Sequence, residues 1–154
     1  MSIKIGSEAP DFVLKGTGDQ LLKLSDFRGK RVILYFYPKD MTAGCTDEAC
    51  QFRDEHTSFE ALNTVIIGVS GDSIKQHEKF IAKYNLPFIL LSDEDHKVAE
   101  LYGVWQLKKM YGKEYMGIVR STFVIDEQGI LTKEWRKVKV KGHIEEALEY
   151  IKQM

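Results

Sequence analysis

Cysteine is nearly absent from this chain: among 154 residues only Cys45 and Cys50 carry a thiol. Two thiols in one short segment exclude a disulfide-stapled scaffold, whose bridges join distant parts of a chain. Proline is almost as scarce, at three residues, and no Ser/Gly/Pro-rich stretch or shift in composition marks a linker. No apolar run approaches the roughly 20 residues of a membrane span, and the opening "MSIKIGSEAPDFVLKG" lacks the apolar core of a secretory signal. A surplus of charge is missing as well. Lys plus Arg number 22 against 23 acidic residues, so the net charge of -1 provides no global field for nucleic acid or an anionic membrane. With 44% hydrophobic and 29% charged residues, the chain is too apolar to be disordered. These absences predict one cytoplasmic domain over residues 1–154, with neither nucleic-acid nor membrane partners.

What is present is an alternation of buried strands and helices. "RVILYFY" (31–37), "TVIIGVS" (64–70), "FILLS" (88–92) and "STFVID" (121–126) are continuous β-branched and aromatic runs, the pattern of strands covered on both faces. "STFVID" leads through a turn into "ILTKEWRKVKV", predicting an antiparallel hairpin; another is expected around "GTGD" (16–19). Ser73 and Gln76 form a capping box that opens a helix ended by Asn85 before Pro87. Val98, Leu101 and Tyr102 give a shorter apolar face, and Ile144, Ala147, Leu148 and Ile151 mark a last amphipathic helix. The pattern predicts an α/β fold with a central mixed β-sheet and flanking helices. Ligand sites in such folds lie at the carboxyl ends of strands, where the segment 38–50 falls.

That segment reads "YPKDMTAGCTDEAC" over residues 37–50. Pro38 stops the strand, a turn follows, and "TDEACQFRDE" resembles an acidic first turn, placing Cys45 at or near a helix N-terminus. Unpaired N–H groups and the helix dipole there favour the reactive thiolate. Cys45, Ala49 and Phe52 share one face, so the thiol is expected to point inward. Cys50 lies about 140° around the helix, with its Cα about 8 to 9 Å from that of Cys45; a disulfide needs less than roughly 7 Å. Bonding would require the helix to unwind. Two small buried side chains that never meet fit the same spacing, as does a redox sensor without turnover. Zinc fits poorly, because His56, His77, His96 and His143 are scattered singly, and the CxxC of a thiol-exchange site is absent. Lys137, Lys139 and Lys141 alternate with Val138 and Val140, a pattern expected of a strand with one wet face more than of a polyanion site.

With Pro38, Thr42 and Cys45 in the spacing Pro-x3-Thr-x2-Cys and Cys50 five residues on, the sequence resembles the peroxiredoxins, in particular their bacterioferritin comigratory protein or Q-type subfamily. "APDF", "GVSGDS", "YGVW", "MYGKEYMGIVRSTFVID" and "VKVKGH" follow the same pattern in order. The resemblance implies a thioredoxin-like three-layer sandwich and a thiol peroxidase acting on hydrogen peroxide and small organic hydroperoxides. It implies Cys45 as nucleophile, Cys50 as resolving thiol in an intrachain disulfide, and Arg120 as the arginine of the site. It further implies recycling by thioredoxin or a similar dithiol protein, no metal or other cofactor, and a monomer. Thr42 is expected either to cap the helix or to join the backbone N–H groups of Gly44 and Cys45 as a donor to peroxide. Pro38 is expected to shield the pocket, and Glu48 to complement the helix dipole. One departure stands out: Ala43 replaces the proline usual in that family and frees the loop before the helix.

Overall fold

The first strands of the computed structural model, which describes residues 3–18 and 20–154, form a hairpin from β1 (Val13–Gly16) and β2 (Gln20–Lys23). It is the hairpin expected around "GTGD", although Asp19 lies outside the described residues. Next come β3 (Arg31–Phe36), α1 (Ala43–Asp54), α2 (His56–Ala61), β4 (Thr64–Ser70), α3 (Ile74–Tyr84) and β5 (Ile89–Ser92). The second half holds α4 (Lys97–Leu101), β6 (Trp105–Met110), β7 (Lys113–Ile118), β8 (Ser121–Ile125), β9 (Leu131–Arg136) and α5 (His143–Lys152).

Seven strands form one sheet in the order β2-β1-β5-β4-β3-β8-β9. The β3–β4 and β4–β5 pairs are parallel, joined by helical crossovers, while β8 runs antiparallel to β3. The sheet is mixed because helical crossovers join the parallel pairs, while the tight β1–β2 and β8–β9 turns and the reversed entry of β8 beside β3 give antiparallel ones. Along β3 the pleat sends alternate side chains to opposite faces. Ile33 and Tyr35, followed by Tyr37, pack with Phe52 of α1, Phe59 of α2, Phe80 of α3 and Ile151 of α5. Val32, Leu34 and Phe36 pack on the other side with Val98 and Ala99 of α4, Tyr102 and Phe123. Helices therefore cover both faces, giving three layers.

Two local expectations change. The strand expected through Val140 ends at Arg136, because Lys137 turns into the left-handed region at φ 53° and Val138 N–H donates to Arg120 O at 2.9 Å. Lys139 and Lys141 are consequently not on a strand. At α4, Val98 and Tyr102 are buried as expected, but Ala99 is the third buried residue of that face, while Leu101 is 37% exposed. The separate β6–β7 hairpin gave no clear sequence signal. Its turn uses Tyr111 and Gly112 at φ 53° and 77°, and Tyr is an unusual choice where Asn or Asp is preferred.

Candidate active site

The chain leaves β3 through buried Tyr37 and exposed Pro38 and enters α1 at Ala43. Thr42 occupies the N-cap with extended backbone, at φ -77° and ψ 154°. The first helical hydrogen bond runs from Thr46 N–H to Thr42 O at 2.8 Å, so the amides of Ala43, Gly44 and Cys45 precede the intrahelical ladder. The helix begins earlier than "TDEACQFRDE" suggested, and its first turn contains no acidic residue. Cys45 is only 2% exposed and packs into the cluster of Tyr35, Tyr37, Ala49 and Phe52. Cys50 is half-buried on the same uninterrupted helix, and both thiols are free.

Strand register explains how Arg120, far away in sequence, meets this helix. Ser121 pairs with Phe36 in the antiparallel β3–β8 ladder, which brings Arg120 beside the carboxyl end of β3. Its Nη2 donates to Cys45 Sγ at 3.3 Å and its Nη1 to Glu48 Oε1 at 2.6 Å. Gly44 leaves space for this fork: a Cβ there would lie 3.2 Å from Nη2. Burial alone would lower the pKa of Arg120, but the neighbouring Glu48 and Cys45 outweigh it and leave it raised.

Two expected roles change with this geometry. Thr42 does not cap the helix with its side chain; its hydroxyl donates to Lys39 O at 2.7 Å. With that hydrogen committed to Lys39, the hydroxyl has only acceptor capacity left for any other group, in place of the donor capacity expected. Glu48 is no exposed complement to the dipole. It is fully buried and paired with Arg120, and burial, opposed by that guanidinium, pushes its carboxyl up to about 7. Its Oε2 and the Tyr35 hydroxyl are buried without hydrogen-bond partners among the described residues.

The histidine distribution also looks different in three dimensions. His77, isolated in sequence, meets Asp40 and Asp72 in a buried group whose ligand-type atoms all lie within 4.8 Å of one another. No sequence spacing joins these three residues; β4, α3 and the loop after β3 bring them together. Among the described residues, no helix is long and apolar enough to cross a membrane.

The model of the AhpC/TSA family matches residues 5–134. This chain belongs to that family of peroxiredoxins. It is 62% identical over 154 residues to peroxiredoxin Bcp of Bacillus subtilis, covering 100% of this chain and 98% of that protein. Among solved structures, a cysteine-to-serine mutant of Xylella fastidiosa PrxQ superposes with a TM-score of 0.93 at 37% identity, covering 98% and 96% of the two chains. A Xanthomonas campestris bacterioferritin comigratory protein, studied for alkyl peroxide reduction, gives 0.88 at 39% identity over 92% and 90%. The peroxiredoxin therefore has the thioredoxin-like fold expected, and it is a thiol peroxidase of the Bcp/Q kind.

Proposed function

We propose that Cys45 is the nucleophile that reduces hydrogen peroxide and small organic hydroperoxides, that Cys50 resolves its oxidised form, and that thioredoxin or a similar dithiol protein restores both thiols in the cytoplasm. The observation carrying this reading is the Arg120 fork, which holds Cys45 Sγ and Glu48 at the amino end of α1. The alkyl peroxide reduction of the Xanthomonas relative supports the substrate class.

The Cys45 thiolate attacks one peroxide oxygen along the O–O axis. A sulfur–oxygen bond forms, the O–O bond breaks, and hydroxide or alkoxide leaves to take up a proton. Negative charge moves from sulfur to oxygen, and Arg120 faces both positions without changing its own protonation. The Thr42 oxygen accepts the hydroperoxide hydrogen and orients the substrate, while the free amides of Gly44 and Cys45 face the developing anion. Pro38, lacking an N–H, adds no competing donor at the rim. Sulfenic Cys45 then meets Cys50: the Cys50 sulfur attacks, hydroxide leaves with a proton as water, and a disulfide forms. An external dithiol supplies the two electrons and two protons that reopen it. Helix geometry requires the first turns of α1 to unwind for this step, given Cα positions about 8 to 9 Å apart.

Mass spectrometry after one equivalent of peroxide tests the scheme. A monomer lighter by two hydrogens, with Cys45 linked to Cys50, is expected; obligatory interchain disulfides would defeat it. In a thioredoxin-coupled assay Cys45→Ser should abolish peroxide consumption, whereas Cys50→Ser should react once and stall.

A further inference from the structure

The segment joining β3 to α1 is anchored by a residue that the peroxidase chemistry does not use. Asp40, five positions before Cys45, is 5% exposed and bonds to three separate places. Its N–H donates to Asp72 Oδ2 at 2.7 Å, its Oδ1 accepts from the Tyr37 hydroxyl at 2.5 Å, and its Oδ2 lies 2.6 Å from His77 Nδ1. His77, fully buried on α3, is fixed in turn by Nε2, 2.9 Å from Leu91 O. A carbonyl only accepts, so Nε2 carries hydrogen, and the contact between Nδ1 and Asp40 holds one shared proton. Asp72 Oδ2 also accepts from Ser70 Oγ at 2.6 Å. Three ligand-type atoms this close suggest a divalent cation, but a nitrogen–oxygen contact of 2.6 Å has room for a proton and none for a metal ion between them.

The residue after this anchor is held in an unfavourable conformation. Met41 has φ 67°, a left-handed backbone that disfavours side chains and persists where its surroundings over-determine it. Asp40 supplies that constraint on one side, and the bond from Thr42 Oγ1 to Lys39 O supplies it on the other. Release of Asp40 would relax Met41 and loosen the start of α1 together.

We infer that the buried Asp40–His77 pair, seated on Tyr37 and Asp72, is the latch of the loop carrying Cys45. Closed, it keeps α1 wound and Cys45 beside Arg120. The unwinding that hands Cys45 to Cys50 reaches back to Asp40 and opens it, so these are positioning residues that divide the enzyme's time between meeting peroxide and forming the disulfide. This inference rests on the proposed resolution of Cys45 by Cys50.

Two substitutions at one position separate the latch from general packing. In His77→Gln the amide nitrogen reaches the place of Nε2 and keeps Leu91 but loses Asp40; in His77→Asn it takes the place of Nδ1 and keeps Asp40. Hydrogen exchange of the reduced protein at residues 46–50, the first amides bonded within α1, reads its opening directly. His77→Gln should raise exchange there by about tenfold or more, the effect of losing one charge-assisted hydrogen bond, with β3 and β4 unchanged. Disulfide closure after one equivalent of peroxide should accelerate, and sulfinic acid at excess peroxide should fall. His77→Asn should restore both toward wild type. Ile151→Ala, in the far part of the same core, controls for global stability by its urea midpoint. Exchange and closure of His77→Gln within about twofold of wild type, or reproduced by Ile151→Ala, would overturn the latch. Asp40→Asn is read in the same way if His77→Gln does not fold. A wild-type protein that forms no Cys45–Cys50 disulfide would sink the resolution step instead, while exchange at 46–50 would still decide whether the latch exists.

Discussion

Glu48→Gln should flatten the dependence of stability on pH between pH 5 and 8. The Glu48 side chain is fully buried beside Cys45, and burial raises its carboxyl from 4.5 to about 7 against the pull of Arg120. Its folded-state pKa therefore lies above that of the unfolded chain, and between the two values the folded protein holds the extra proton. Stability from this group is fully present below 4.5 and is lost as pH rises toward and through about 7. At about 1.4 kcal/mol per pH unit the loss is about 3 kcal/mol, most of it between pH 5 and 8. For a chain of this length that corresponds to roughly 6 to 12 °C in Tm. His143 works in the opposite direction: burial lowers its pKa from 6.5 to about 4, so its contribution is lost as pH falls through that range. Comparing the variant with wild type cancels the His143 contribution. Urea unfolding of both reduced proteins from pH 5 to 8 is the assay. The wild type should lose about 2.5 kcal/mol relative to Glu48→Gln across the window, whatever their absolute stabilities. Parallel profiles would refute the reasoning, because they would mean that Arg120 keeps Glu48 ionised throughout.

Two further predictions concern catalysis. Arg120→Lys keeps the positive charge but replaces a fork that spans Cys45 and Glu48 by a single nitrogen. The rate of Cys45 oxidation by peroxide in stopped flow should fall by about 10² to 10³, the usual effect of losing one aimed donor; a rate near wild type would exclude the fork from the reaction. Ala43→Pro places proline at the first helical position, after a Thr42 whose ψ of 154° already suits it. It should stabilise the wound start of α1 by about 0.4 to 1 kcal/mol and slow disulfide closure by about two- to fivefold. Closure unchanged or accelerated would show that unwinding does not begin at this turn.

Several elements of the peroxiredoxin were determined by the sequence itself, because their causes act within a few residues. Ser73 and Gln76 cap α3, with Ser73 Oγ accepting from Gln76 N–H at 3.2 Å, and Asn85 ends it in the left-handed conformation at φ 52°. The apolar spacing of Ile144, Ala147 and Ile151 placed α5, and the spacing of Cys45, Ala49 and Phe52 placed the thiol on the inner face of α1. The tertiary structure decided what faces that thiol. The β3–β8 register, with Phe36 opposite Ser121, delivers Arg120; burial, not the helix dipole, sets the state of Glu48; and the Thr42 hydroxyl turns to Lys39 in place of capping. His77 shows the division most plainly, since no periodicity relates it to Asp40, 37 positions away. Helical period and capping are written in neighbouring residues, whereas partners across a sheet depend on how distant strands align and on how much water their packing expels.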